Sequence, residues 1–234
     1  MDKKKIILIP TYNEGKNIID LIKEIFVKVS DTQILVIDDN SPDGTYDLLC
    51  NSAKEDERVC VIKRDKKSGL ASAYKDGFCW AIDNGFEYFV TMDADFSHNP
   101  DYLPEMFSKL ENNDVVVGSR YVQNGGVKNW SLLRKFVSKC GSMYSKFVLQ
   151  NIPVNDLTGG FNGYSLKALQ NIDLSSLVAK GFFFQIEMKY KAWKKNCSIL
   201  EIPIVFEDRK FGKSKMDFKI FLEALVAIWK IRSK

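Results

Sequence analysis

Short apolar runs alternate with stretches of helical spacing through the first half of the chain. Residues 6–10 form an apolar run closed by a proline. Ile18, Ile19, Leu21, Ile22, Ile25, Phe26 and Val29 then recur at the three- and four-residue intervals of one helix face. The same alternation predicts a strand at 34–37 and a helix at 45–54, a strand at 59–63 and a helix at 71–84, and a strand at 88–92 with a helix at 104–110. Residues 115–118 add a fifth strand. Strands joined through helices require right-handed βαβ crossovers, hence an α/β fold with a mostly parallel sheet and helices on both faces. Ligands of such sheets sit beyond the carboxyl ends of the strands, so candidate chemistry belongs there.

After Ser119 the alternation weakens. A basic loop leads to a helix at 132–149, the turn-rich Thr158-Gly159-Gly160, a helix near 184–194 and an extended segment at 198–206. A polar loop at 207–215, centred on Gly212, precedes a final helix at 218–231. No linker or repeat interrupts the chain, which reads as one domain: a core over 1–206, with the loop and amphipathic helix of 207–234 as part of the same unit. Phe218, Phe221, Leu222, Leu225, Ile228 and Trp229 fall on one side of that helix, near Lys219, Lys230, Arg232 and Lys234. Such a face either packs back on the domain or lies on a membrane surface.

With 234 residues, 45% hydrophobic and 12% aromatic, the chain is neither disordered, collagenous nor a coiled coil. Five cysteines with no CxxC spacing suggest reduced thiols and a cytosolic compartment. The four-residue apolar run behind Met1-Asp2-Lys3-Lys4-Lys5 is too short for a signal peptide, and no stretch approaches the ~20 apolar residues of a membrane span, so a soluble or peripheral protein is expected. The net charge of +4 becomes informative when split. Residues 1–114 carry 14 basic and 22 acidic side chains, whereas residues 115–234 carry 20 and 8. No acidic residue lies between Asp114 and Asp156, a span holding Arg120, Lys128, Arg134, Lys135, Lys139 and Lys146. A cation site facing an anion or membrane site would produce this asymmetry, and so would a merely solvated basic face.

Asp38 and Asp39 end the second predicted strand, and Asp93-Ala94-Asp95 ends the fourth. Two carboxylates one residue apart on extended chain project to the same side. They suit a hard cation such as Mg²⁺, which leaves positions for phosphate oxygens. The motif alone is weak, because 19 aspartates yield about 1.5 Asp-x-Asp matches by chance. Its position sets it apart from an ordinary strand-end turn. In Pro10-Thr11-Tyr12-Asn13-Glu14, Asn13 can cap the first helix and Glu14 can favour its positive end, while Tyr12 can stack on a nucleobase. Asp39-Asn40-Ser41-Pro42-Asp43-Gly44 is either turn chemistry or a place where Asp39 holds a base or ribose. His98 is the only histidine, which argues against zinc sites and Cys/His nucleophile schemes.

Taken in order, Ile9-Pro10-Thr11-Tyr12-Asn13-Glu14, the segment at 36–45, Met92-Asp93-Ala94-Asp95-Phe96-Ser97-His98-Asn99-Pro100, Gly118-Ser119-Arg120-Tyr121, Asp156-Leu157-Thr158-Gly159-Gly160-Phe161, Phe184-Gln185-Ile186-Glu187-Met188 and the segment at 208–215 resemble the dolichyl-phosphate (polyprenyl-phosphate) mannosyltransferases of glycosyltransferase family 2. The resemblance runs from about residue 5 to about residue 220 and implies a GT-A, Rossmann-like fold. It implies an inverting hexosyltransferase that moves mannose from GDP-mannose, with Mg²⁺ or Mn²⁺, onto a polyprenyl phosphate. By matching positions, Pro10, Tyr12, Glu14, Ile37 and Asp39 would hold the nucleoside. Asp93, Asp95 and Ser97 would ligate the metal, with Ala94 contributing backbone contact. Arg120, Arg134, Arg209 and Lys215 would bind phosphates, and Asp95, Arg120 and Arg134 form the expected catalytic set. Ser97 replaces the glutamine of other members, and Asn162 stands where many have arginine. A membrane surface at its cytoplasmic face, and a membrane-anchoring partner subunit, are further implied partners; nucleic acid is not. A UDP-glucose-dependent glucosyltransferase and a non-catalytic nucleotide-sugar-binding subunit are the competing readings. A nucleotidyltransferase would want a glycine-rich loop after the first strand, where Thr11-Tyr12-Asn13-Glu14 stands.

Overall fold

The alternating runs fold as strands β1 (Lys5–Thr11), β2 (Thr32–Asp38), β3 (Val59–Lys63), β4 (Tyr88–Thr91) and β5 (Val115–Ser119), with helices α1 (Ile18–Lys28), α2 (Thr45–Glu55), α3 (Leu70–Asp83) and α4 (Leu103–Leu110) between them. They are followed by β6 (Gly126–Val127), α5 (Leu132–Val148), β7 (Asn162–Ser165), α6 (Leu166–Ile172), α7 (Phe183–Lys194), β8 (Ile199–Pro203) and β9 (Val205–Phe206). The computed structural model describes residues 3–177, 181, 183–207 and 228–232.

Seven strands form one sheet in the order β3-β2-β1-β4-β7-β5-β8, and β6 and β9 pair separately. The β1–β2, β1–β4, β2–β3 and β5–β8 pairs are parallel, whereas β7 runs antiparallel to both β4 and β5. Because side chains alternate across a strand, Ile6 and Leu8 enter one core with Tyr74 and Phe78 of α3 and Phe184 of α7. Ile7 and Ile9 enter the opposite core with Leu21 and Ile25 of α1 and Leu103 and Phe107 of α4. Both faces of the sheet are therefore covered, and the strands read as continuous apolar runs.

Two features escaped the hydrophobic pattern. Strand β7 has only Tyr164 as a large apolar residue, and its Gly163 is required by packing: a Cβ there would lie 2.9 Å from Leu110 Cδ1 and 3.2 Å from Met106 Cγ of α4. The extended segment at 198–206 divides between two sheets, with β8 pairing to β5 and β9 to β6. Of the expected amphipathic face at 218–231, only Ile228 and Trp229 lie within the described residues. Ile228 is buried in the core with Ile231, not turned to a membrane, while Trp229 is exposed and donates from Nε1 to the Tyr144 hydroxyl at 3.0 Å.

From β1 the chain proceeds outward through β2 to β3, then returns to β4 on the other side of β1. The reversal leaves a crevice beyond the carboxyl ends of β1 and β4.

Candidate functional site

At that crevice, the register sets Thr11 beside Asp38. Asp38 is buried and structural: its carboxylate accepts from the Thr11 hydroxyl (3.0 Å), the Ser41 amide (2.9 Å) and the Ser41 hydroxyl (2.6 Å). Asp39 points to the start of α3, where it accepts from the Ser68 and Gly69 amides at 2.9 Å and from Arg64 Nη1 at 2.8 Å. A carboxylate is well placed at that positive helix end. Lys67 Nζ lies 3.7 Å from the centre of the Tyr12 ring, so the loops after β1 and β3 meet over the crevice. Asn13 does not cap α1; it adopts a left-handed conformation (φ 62°) and its amide donates to Ser41 Oγ, while Asn17 holds the cap position. Glu14 ties the same turn by accepting from Asn17 Nδ2 at 3.1 Å. Pro10 is the penultimate residue of β1, partly exposed. The Ile37 side chain is wholly buried under α3, whose Gly77 leaves it room; this leaves the backbone as the part of Ile37 able to meet a ligand.

Beyond β4, Asp93 is partly exposed and Asp95 buried, with the Ala94 side chain in the core. The Ser97 amide donates to Asp95 Oδ1 at 3.0 Å across a turn in which Phe96 has φ 63°. Ser97 Oγ is buried and has no hydrogen-bond partner among the described residues. Two carboxylates and an unsatisfied hydroxyl form a hard oxygen donor set, which fits Mg²⁺ or Mn²⁺. No group of three or more His, Cys, Asp or Glu side chains suited to a metal occurs among the described residues. A metal held by these groups would take its remaining ligands from phosphate oxygens and water. His98 is buried, stacked on Phe161 at 5.0 Å, and its Nδ1 accepts from the Asp93 amide at 3.0 Å. Burial pushes its pKa down to about 4, overcoming the pull of Asp95. The imidazole is neutral at physiological pH and holds the Asp93 turn.

The basic half enters through a buried ion pair. Arg120 Nε and Nη2 each meet one oxygen of Asp156 at 2.7 Å, and Nη2 also donates to Thr158 Oγ1 at 2.8 Å. The expected phosphate-binding guanidinium therefore has an internal partner. Burial opposes the charge on Asp156, but Arg120 outweighs it and, with help from Lys189, holds the carboxyl at about 2. Lys189 of α7 is buried, and its ammonium donates to the carbonyls of Asp156, Leu157 and Gly159 at 3.1, 3.2 and 2.8 Å. Burial pushes its pKa down to about 7, against the pull of Asp156. On the far side of this turn the Thr91 hydroxyl donates to the Gly160 carbonyl at 2.7 Å, fixing Gly160 beside the carboxylates.

Arg134 lies on α5 with its guanidinium 4.1 Å from the centre of the Trp130 ring, and Trp130 in turn faces Arg120 at 5.5 Å. The structure thus brings the two predicted arginines to one indole. Arg209 and Lys215 lie outside the described residues, as does the loop they belong to beyond Glu207. Arg64, Lys189 and Gln185 join the site in the structure without a signal in the sequence. Arg64 and Lys189 stand among other charged residues with no motif to mark them, and Gln185 lies within Phe184-Gln185-Ile186-Glu187-Met188 with no role that the sequence assigns.

A model of the family described as glycosyl transferase family 2 matches residues 6–173. The chain is 39% identical over 236 aligned residues to a polyprenol monophosphomannose synthase of Mycolicibacterium smegmatis, covering 99% of this chain and 89% of that protein. It is 38% identical over 221 residues to an undecaprenyl-phosphate mannosyltransferase of Micrococcus luteus, covering 94% and 90%. Among solved structures, a mannosyltransferase from Pyrobaculum calidifontis in complex with GDP-Man and Mn²⁺ aligns with a TM-score of 0.61 at 14% identity, over the whole of this chain and 74% of the other. A mycobacterial protein aligns at 0.68 and 16% identity, over 97% and 71%. These likenesses support the GT-A-like architecture, and with a family match and near-full-length relatives in agreement, the chain belongs to glycosyl transferase family 2.

Proposed function

We propose that this protein transfers mannose from GDP-mannose to a polyprenyl phosphate, inverting the anomeric centre. The observation that carries the reading is the 38–39% identity over almost the whole chain to proteins named polyprenol monophosphomannose synthase and undecaprenyl-phosphate mannosyltransferase. The carboxylate pair at the switch point supports it. In this reading Asp93, Asp95 and Ser97 hold Mg²⁺ or Mn²⁺, which supplies positive charge to the departing diphosphate. Tyr12 lies where a base can stack on its ring once Lys67, whose ammonium now sits 3.7 Å from the ring centre, moves aside. Asp39 holds the loop ahead of α3 and, through its own position at the crevice, the ribose side of the nucleoside.

The acceptor phosphate oxygen forms the new bond to the anomeric carbon as the bond to GDP breaks. A phosphate monoester already carries −1.5 to −2 charges near neutral pH, so no general base need remove a proton. Buried, neutral His98 with its Nδ1 engaged agrees with that chemistry. Arg134 beside Trp130 positions the acceptor phosphate, and Arg120, locked to Asp156, contributes its charge and fixes the Gly159-Gly160 turn. Arg209 and Lys215 complete the diphosphate site in this proposal.

The acceptor is a membrane lipid, and α5 offers a face for its bilayer. Leu132, Phe136, Met143 and Phe147 are 84, 68, 63 and 75% exposed. At 100° per residue they fall within about 60° of arc, and Lys135, Lys139 and Lys146 follow within roughly another 60°. An apolar stripe edged by lysines suits an anionic bilayer surface, here assigned to the cytoplasmic face in keeping with five free cysteines. No helix among the described residues is long and apolar enough to cross a membrane.

Purified protein given radiolabelled GDP-mannose, polyprenyl phosphate and Mg²⁺ or Mn²⁺ should yield organic-extractable label. Label from UDP-glucose alone would establish the glucosyltransferase reading instead. No label from any GDP- or UDP-sugar would leave the binding-subunit reading.

A further inference from the structure

Gln185 stands in the first turn of α7, and its amide is only half used. Its Oε1 accepts from Asn162 Nδ2 at 2.9 Å, and Asn162 Nδ2 also reaches the Gly159 carbonyl at 3.1 Å. The Gln185 side chain is 1% exposed, yet Nε2 has no hydrogen-bond partner among the described residues. A buried amide donor without an acceptor is costly, and native structures rarely tolerate one without a ligand or water to complete it.

The donor is directed at a defined space. A Cβ placed on Gly160 would lie 3.5 Å from His98 Cε1, 3.8 Å from Gln185 Nε2 and 3.9 Å from Asp93 Oδ1. These three groups ring the open side of a glycine that Thr91 pins in place. His98 presents only a ring carbon here, its Nδ1 being engaged with the Asp93 amide, and an amide beside a carboxylate makes a polar pocket wall without an arginine or lysine, so the space is not built as a phosphate cradle. It suits an uncharged polyol whose hydroxyls can accept from the amide and donate to the carboxylate. Asn162 Oδ1, at the other end of the amide pair, is likewise buried without a partner among the described residues.

We infer that Gln185 is a sugar-reading residue: its Nε2 donates to a hydroxyl of the transferred hexose, seated over Gly160 between Asp93 and Gln185. This rests on the donor being a nucleotide sugar, as proposed above, and adds which residue inspects the sugar. The Asn162–Gln185 pair orients the amide, so that Nε2 is the atom presented to the sugar.

The test compares GDP, GDP-mannose and a panel of its monodeoxy analogues on wild type, Gln185→Met and Gln185→Glu. Binding is read by calorimetry without acceptor, and transfer by steady-state kinetics. Wild type should disfavour one deoxy analogue by about tenfold or more, since a site built to hydrogen-bond a hydroxyl rejects the analogue lacking it. Gln185→Met should weaken GDP-mannose and shrink that ratio to under about twofold, with GDP affinity and the polyprenyl-phosphate KM unchanged. Gln185→Glu keeps the acceptor for Asn162, so it reports on the donor if the methionine variant does not fold. Persistence of the full deoxy ratio in the folded variants would overturn the inference, as would a change confined to the polyprenyl-phosphate KM. Because calorimetry needs no turnover, an inactive wild type would count against the transferase reading while the Gln185 ratio is still decided.

Discussion

At the scale of single residues, the site is held by charges that the fold has removed from water. Asp156 receives both arms of Arg120, the Arg120 amide and the Gly159 amide, so its loss strands a buried guanidinium. Breaking such a pair from one side costs about 3–5 kcal/mol, and Asp156→Asn should lose that much in urea denaturation. The pH dependence has a definite sign. The Asp156 carboxyl is held at about 2 in the folded protein against 3.8 ordinarily, so its contribution is full above the ordinary value and is lost as pH falls through about 2. Wild-type stability should therefore drop in that acid window, and Asp156→Asn should show a shallower drop. Asp95→Asn tests the metal assignment. It preserves shape and the acceptor for the Ser97 amide, and should lower transfer by at least about a hundredfold, more than the loss of a group one shell further out. Wild-type transfer with unchanged Mn²⁺ dependence in that variant would remove Asp95 from the metal site.

Among the elements, α5 and α7 depart furthest from ordinary surface helices, in opposite directions. Helix α7 buries Gln185, Glu187 and Lys189 together with its apolar residues: Gln185 and Lys189 reach the 156–162 segment, and Glu187 pairs with Lys191 at 3.1 Å. Helix α5 exposes large apolar side chains that most soluble helices would bury. Phe136→Ser with Phe147→Ser should leave stability within about 0.5 kcal/mol for each, as expected of exposed positions. The same pair should reduce co-sedimentation with anionic vesicles several-fold and raise the polyprenyl-phosphate KM in vesicle assays. Undiminished binding to protein-free vesicles would exclude α5 as the membrane face. Binding that appears only with a second protein present would favour the anchoring-subunit alternative.

Taken whole, the molecule joins an acidic first half and a basic second half through one sheet, since β7, β5 and β8 continue the sheet begun by β1 to β4. Ligands that bind only the folded state should stabilise it by mass action, by about 2.7 kcal/mol at a hundred times the dissociation constant. GDP with Mn²⁺ should raise the melting temperature more than either alone, and Asp95→Asn should lose the increment due to metal while keeping part of that due to GDP. Equal melting curves for wild type and Asp95→Asn under all four conditions would disconnect the carboxylate pair from nucleotide binding.

The sequence alone determined the parallel part of the sheet, because Ile6 to Ile9, Ile34 to Ile37 and Val115 to Val117 are buried on both faces and so appear as unbroken apolar runs between amphipathic helices. It also placed Asp39, Asp93 and Asp95 at strand ends, since the position of a short motif relative to a strand can be read locally, and the motif order identified the family. Tertiary structure decided what local pattern cannot encode. Strand β7 is specified by Gly163 fitting under α4 and by pairing on both sides, with little apolar signal of its own. Arg120 and Asp156 are 36 positions apart, and Lys189 lies 30 or more from the carbonyls it binds. The resemblance marks Arg120 as a phosphate ligand without revealing its carboxylate partner, and Lys189 stands unremarked among neighbouring lysines, because only folding removes their water and supplies partners. Gln185 carried no role in the sequence, because an unsatisfied donor exists only once burial has taken its solvent away.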